Sequence, residues 1–303
     1  MVYIFIARIA RIWPAHIATI GLLFYAFYPY SSIYYNDTYF AVSIINVSLI
    51  QAWFSDIVVY FSLNAPSWSV SCELFFYLVF PVFINWMKTN PILKVASLYV
   101  VAILFIFTVS TITKKDDIHF NVWLGYVNPI VNLPTFIFGV AIGLYYIKKS
   151  NDNIHFSSAL QIISVFFVIV SLWSCGTLTS GNTSALANYF RSTGPALSFV
   201  ALILSLSIFG NGIISRSLSI GVFVYLGEIS YSIYLTHQIV FRWWVNPSMK
   251  FDGLSVGIQY LMALALTFVM SALIFHLIER PSRTWLMSGW SRLNGAKPSS
   301  PSY

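Results

Sequence analysis

Charge is what this sequence has least of: Asp, Glu, Lys and Arg together supply 8% of its 303 residues, where an average soluble domain has about a quarter. Apolar residues make up 58%, a mixture that no water-soluble fold could use. Cysteine is nearly absent. Cys72 lies inside an apolar run and Cys175 near the end of another, without metal-ligand spacing between them, so neither a disulfide nor a metal site is expected. There is no Gly-x-Ser-x-Gly elbow, no phosphate-binding Gly loop, no His-Glu-x-x-His pair and no dinucleotide fingerprint, which narrows the chemistry on offer. The apolar runs are continuous rather than alternating, which argues against an outer-membrane barrel.

Long apolar runs are what the sequence does have. They fall at approximately 12–30, 39–61, 66–86, 92–112, 129–147, 158–176, 194–210, 220–243 and 254–279, and about 20 helical residues cross a hydrocarbon layer. An all-α, polytopic transmembrane helical bundle is therefore predicted. The formal charge of +7 could suggest nucleic acid, but the 16 Lys and Arg stand singly or in pairs between apolar runs. That is a topology signal, so membrane lipid is the expected partner and nucleic acid is not. Arg8 and Arg11 ahead of an apolar run imitate a secretory signal. The run is rich in Tyr and lacks a small-x-small cleavage site, so it reads as an uncleaved first span.

The run at 39–61 is interrupted by Asn46, Gln51 and Asp56 and has no flanking Lys or Arg. If it crossed, Arg280, Arg283, Arg292 and Lys297 would end outside, against the usual cytoplasmic excess of cations. If it does not, eleven Lys and Arg lie inside and five outside. The expectation is about eight spans with both termini cytoplasmic, and residues 31–65 as a re-entrant or interfacial segment on the outer side. Residues 1–285 then form one membrane-embedded domain and 286–303 a disordered cytoplasmic tail.

Ionisable residues inside a span cost roughly 2.5–3.5 kcal/mol or more at mid-helix, which makes each a functional candidate. Ser69, Glu73 and Tyr77 recur at four-residue spacing and share a helix face just after Trp68. Ser230, Tyr234 and His237 form a second polar stripe, next to Tyr231. The charge-derived topology puts Glu73 and His237 at similar depth toward the outside, where they either share a pocket or hold helices together by buried hydrogen bonds. A third cluster lies at the inner rim: Arg8-x-x-Arg11, and His276 to Pro281 with Glu279. Arg pairs bind phosphates through forked donors, although Arg at a cytoplasmic helix end also serves as a topology anchor. His276-x-x-Glu279 imitates metal spacing but offers two ligands without a third. Gly139-x-x-x-Gly143 reads as close helix packing.

Several of these segments together resemble the membrane acyltransferase 3 family, O-acyltransferases that modify bacterial surface polysaccharides and related acceptors. Trp68-Ser-x-Ser-x-Glu73-x-x-Phe76-Tyr77 resembles the family's Trp-Ser-Leu-Ser-x-Glu-x-x-Phe-Tyr signature. Gly227-x-x-Ser230-Tyr231-Ser-x-Tyr234-Leu235-x-His237 is similar to its late Ser-Tyr-x-x-Tyr-Leu-x-His segment. Glu279-x-Pro281 looks like its closing Glu-x-Pro, and Arg8-x-x-Arg11-x-x-Pro14 like its Arg motif. The four matches occur in family order and span nearly the whole chain.

The resemblance implies transfer of an acyl group, usually acetyl, from cytoplasmic acyl-CoA to a hydroxyl of a glycan presented across the membrane, with no bound cofactor. It implies Arg8 and Arg11 as donor-binding residues, and Glu73 and His237 as catalytic candidates. Trp68, Ser69, Tyr77, Ser230, Tyr231, Tyr234 and Glu279 would serve the acceptor or the structure. A bacterial cytoplasmic membrane is the implied location. Family members usually carry two further spans before the Arg motif, with the His taken as general base in the first. The chain begins seven residues before Arg8, so it is expected to be N-terminally incomplete. It would then be inactive by itself or reliant on another base, for which His16 and His237 are the available residues. A second departure is Asn128-Pro129-x-x-Asn132-Leu-Pro134-Thr135-Phe136, where Asn132 and Thr135 stand in place of the family's Arg and Glu. Two other classes fit the same polar stripes: a flippase for a lipid-linked glycan, and a folded remnant without function.

Overall fold

A computed structural model describes residues 2–27, 37–114, 117–149, 157–244 and 254–293. All regular structure among them is helical. In chain order the α-helices are α1 (Val2–Phe27), α2 (Asp37–Val47), α3 (Ile57–Tyr60), α4 (Trp68–Trp86), α5 (Pro91–Thr113), α6 (Ile118–Val122) and α7 (Pro129–Lys149). They continue with α8 (Ser157–Leu178), α9 (Ala185–Thr193), α10 (Ala196–Ile208), α11 (Ile213–Leu218), α12 (Gly221–Trp244), α13 (Val256–Ile274) and α14 (Arg280–Leu293). Two stretches wind as π-helix, Trp123–Val127 and Phe275–Glu279.

Among the described residues, six helical segments are long and apolar enough to cross a membrane: Ala65–Trp86, Pro91–Thr113, Ile118–Ile147, Ser158–Leu178, Ala185–Ile208 and Val256–Trp290. α1 with 26 residues and α12 with 24, two of the eight spans expected, are as long but more polar and are not among these six. The run at 39–61 contains no such helix. Its longest piece is the 11-residue α2, about 16 Å at 1.5 Å per residue, half of a hydrocarbon core. The break is local, since Leu49 takes a left-handed backbone (φ 56°).

Helix ends follow the sequence. Asp117 and Ser184 cap α6 and α9 by accepting from the main-chain N–H of Phe120 and Ala187, and Ser255 caps α13 in the same way. Pro91 and Pro129 occupy first helical positions, where the missing N–H costs nothing.

The chain divides into two compact units. The first comprises Met1–Gln51, Phe61–Val70 and Leu226–Tyr303. Within it α1 packs along α14 and against the second π-segment, which also contacts α13. The second comprises Ala52–Tyr60 and Ser71–Tyr225. Here α5 packs on α7 and α8 on α10, and α9 seats on the first π-segment. Ala102, Ile106, Phe120, Leu124, Val131, Ala185 and Tyr189 form its central cluster. The α8–α10 seam is joined by serines, Ser164 to Ser205 at 2.8 Å and Ser171 to Ser198 at 2.6 Å, small polar residues that let membrane helices approach and bond.

Arg8 and Arg11 lie inside the first helix, since nothing interrupts α1 between Val2 and Pro14. α14 continues to Leu293 and packs along α1, while 294–303, with Lys297, lie outside the described residues, as do Lys115 and Lys250. One expectation is corrected. Gly139 and Gly143 do not mark close packing: both are exposed, and a Cβ added at either meets nothing within 4 Å. The close approach is at Gly125 in the first π-segment, where a Cβ would collide with the backbone carbonyl of Ala185.

Candidate active site

Arg8 and Arg11 occupy successive turns of α1, Arg8 exposed and Arg11 half-exposed. Glu279 closes the second π-segment and is 2% exposed. Its Oε1 lies 3.5 Å from Nε of Arg11, and its Oε2 accepts the Ser232 hydroxyl at 2.8 Å. A carboxylate this deeply buried is tolerable only when paired and hydrogen-bonded, and here each oxygen has its own partner. One residue away on α12, Tyr231 donates its hydroxyl to the Ile12 carbonyl at 2.9 Å. The Arg motif, the late Ser-Tyr segment and the closing Glu-x-Pro are thus one hydrogen-bonded assembly within the first unit.

The same helix α12 holds the segment that precedes α4. Tyr234 donates its hydroxyl to the Pro66 carbonyl at 2.7 Å, and the Ser69 hydroxyl lies 2.7 Å from that of Tyr234. Asn64 donates to the Leu235 carbonyl and Arg242 to the Leu63 carbonyl, both at 2.9 Å. Trp68, half-buried, opens α4 directly after this turn.

His237 is half-buried, with Nδ1 2.7 Å from the Tyr234 carbonyl and 3.3 Å from that of Ile233. Carbonyls only accept, so Nδ1 carries the hydrogen and Nε2 presents its lone pair. No side chain or carbonyl among the described residues occupies Nε2. That is the tautomer a general base requires.

These features can be set beside known proteins. A family model of the acyltransferase domain matches residues 2–278. The chain belongs to the acyltransferase 3 family. Acyltransferase MdmB of Streptomyces mycarofaciens is a relative, 24% identical over 304 residues that cover 90% of this chain and 72% of that protein. No solved structure matches. As a member of the family, this chain is an enzyme that transfers acyl groups, built as an integral membrane protein.

In this acyltransferase Glu73 and Tyr77 lie in the second unit, half-buried on α4, with the Tyr77 hydroxyl 3.4 Å from Oε2 of Glu73. Around them the helix is well anchored. Cys72 donates its thiol to the Val127 carbonyl at 3.2 Å, and Phe76 stacks on Phe136 with centroids 4.9 Å apart. Ser230 is exposed and turns its hydroxyl back to the Gly227 carbonyl at 2.8 Å.

The substituted pair is locally satisfied. Asn132 donates to the carbonyls of Tyr126 (2.7 Å) and Asn128 (3.0 Å), where the first π-segment gives way to α7. Thr135 lies 3.3 Å from the Tyr99 hydroxyl on α5. Neither position strands a partner. His16 is fully buried, with Nε2 donating to the Asn46 carbonyl at 2.9 Å, the behaviour of a wall residue that bonds across helices.

Sequence reasoning missed Ser232 and the hydroxyls in line with it. Thr236, one turn on, pairs with Ser271 of α13 at 2.7 Å. The signal was present as two facing four-residue spacings, Ser232-x-x-x-Thr236 and Thr267-x-x-x-Ser271, but neutral hydroxyls in apolar runs draw less attention than charges.

Proposed function

We propose that this acyltransferase moves an acetyl group from acetyl-CoA, delivered on the cytoplasmic side, to a hydroxyl of a cell-surface glycan, with both chain termini cytoplasmic in a bacterial inner membrane. The observation that carries the reading is the assembly of the Arg, Ser-Tyr and Glu-x-Pro motifs around Arg11; its Ser-Tyr segment lies on α12, the helix that also carries His237. Arg8 and Arg11 serve the phosphates of the donor. His237 lies six residues beyond Tyr231 on α12, a rise of about 9 Å along the same helix.

In the reaction, Nε2 of His237 takes the proton of the acceptor hydroxyl as its oxygen attacks the thioester carbonyl. The tetrahedral oxyanion needs hydrogen-bond donors where its charge develops. Its collapse breaks the C–S bond, coenzyme A leaves as thiolate, and the proton held on His237 returns to it. His237 suits this role better than His16 because its ring is half-exposed, whereas His16 is sealed. A further hydroxyl-binding candidate, Glu73 with Tyr77 beside it, lies in the second unit.

The test is radiolabelled acetyl-CoA added to membranes containing the protein and the host's surface glycans. Label on glycan is expected, and its loss in Glu73→Ala and Arg11→Ala. Wild-type incorporation in both variants would remove the site assignment, and label that stays on the donor would remove the acceptor class.

A further inference from the structure

We propose that Glu279 and Ser232 are positioning residues that aim the guanidinium of Arg11 at a phosphate group. The inference rests on the reading of Arg11 as an anion-binding residue. Three observations carry it. Glu279 engages only the Nε edge of Arg11, and among the described residues nothing pairs with the two Nη groups, while the side chain is 36% exposed. Ser232 ties the second carboxylate oxygen, so Glu279 cannot swing and the plane of the guanidinium is set. The residue is delivered by a π-turn, Phe275–Glu279. One residue more than an α-turn rotates the rest of the helix by about 100°, and such insertions recur where a helix must re-aim a functional side chain.

Charge surplus supports an anion as the missing partner. Arg283, on α14, adds a positive charge near Glu279. The one buried carboxylate therefore faces two cations, Arg11 and Arg283. A fork with one edge held and two parallel donors presented outward matches two phosphate oxygens. Coenzyme A carries such groups, and so does a phospholipid headgroup.

The experiment measures the dissociation constant of coenzyme A for the purified full chain in dodecyl maltoside. In parallel, the rise in melting temperature on adding phosphatidylglycerol is recorded. Arg11→Ala is expected to weaken coenzyme A roughly tenfold or more, the loss of a charge-assisted phosphate contact. Glu279→Gln and Ser232→Ala should weaken it about three- to tenfold, Ser232→Thr should restore it, and Arg11→Ala with Glu279→Gln should be no worse than Arg11→Ala alone. A purely structural role would lower the melting temperature and leave the affinity of the folded fraction unchanged. If the variants abolish stabilisation by phosphatidylglycerol and spare coenzyme A, the aimed phosphate is the lipid's. If Arg11→Ala weakens either ligand while Glu279→Gln and Ser232→Ala weaken neither, positioning is wrong and the role of Arg11 stands. If Arg11→Ala weakens neither ligand, the anion-binding reading itself fails.

Discussion

His237 gives its Nδ1 hydrogen to the main-chain carbonyl of Tyr234, 2.7 Å away on the preceding turn of α12. A backbone carbonyl thereby does what a carboxylate does in many catalytic histidine pairs: it fixes which nitrogen is protonated and holds the ring. Because the orienting group is main chain, no substitution at Tyr234 removes it.

That geometry allows a clean test of the base. In His237→Asn the amide nitrogen stands where Nδ1 stood and keeps the bond to the Tyr234 carbonyl, but nothing replaces Nε2. The variant should fold and melt like the parent while acyl transfer falls by roughly 10²- to 10⁴-fold, the usual contribution of a general base. Retained transfer in a stably folded His237→Asn protein would move the base elsewhere, with His16 the next residue to replace.

Glycine positions divide sharply. At Gly125 any side chain would strike the Ala185 carbonyl, and at Gly212 it would strike the side chain of Gln161. That glutamine is fully buried, donates to the Phe209 carbonyl and the Ser215 hydroxyl, and accepts from the N–H of Ile214 and Ser215. Gly125→Ala and Gly212→Ala should each cost about 1–3 kcal/mol through forced backbone or side-chain shifts. Gly139→Ala and Gly143→Ala meet open space and should be neutral or slightly stabilising through higher helix propensity. Thermal unfolding in detergent, scored for all four, checks the order.

These same residues show what the sequence could and could not reveal. Apolar run length is a strong signal because a hydrocarbon core demands it, so α5, α7, α8 and α13 fell where the runs did. The charges that cannot be wasted in lipid, Arg11 and Glu279, were also visible. Their pairing was not, since it depends on a π-turn whose extra residue leaves no mark in composition. Glycine spacing misled for a related reason. Gly139 and Gly143 share a face by period, but period does not say whether another backbone lies opposite, and the close approach fell instead on Gly125, in a stretch with no such pattern.

Tyr60 provides a pH prediction outside the long helices. It is 1% exposed and donates its hydroxyl to the His119 carbonyl at 3.0 Å. Burial first, then the negative charges of Asp117 and Asp56, push its phenol up to about 12, above the roughly 10 of an unfolded tyrosine. The folded state therefore favours the neutral phenol. This contribution is fully present below pH ~10 and is lost as pH rises toward 12. Tyr60→Phe has no proton to lose, so it should be less stable than the parent at neutral pH by about 1 kcal/mol, one hydrogen bond, and the gap should narrow in alkaline buffer. A gap that stays constant up to pH 12 would contradict the assignment.

The exchange of a family Arg and Glu for Asn132 and Thr135 can be reversed in the laboratory. Asn132 now serves the Tyr126 and Asn128 carbonyls, and Thr135 meets Tyr99. Both side chains are half-buried, three residues apart and hence neighbours on α7. Asn132→Arg alone loses those amide bonds and brings an unpaired charge into the bundle. Thr135→Glu alone does the same with the opposite sign, so each should lower stability by about 1–3 kcal/mol. Together they neutralise one another, and the double variant should be more stable than the sum of the singles by roughly 1 kcal/mol or more. Strict additivity would mean that the two side chains cannot reach each other on this helix. A favourable coupling with unchanged acyl transfer would assign the charged pair to packing, and a favourable coupling with altered coenzyme A affinity would assign it to the donor.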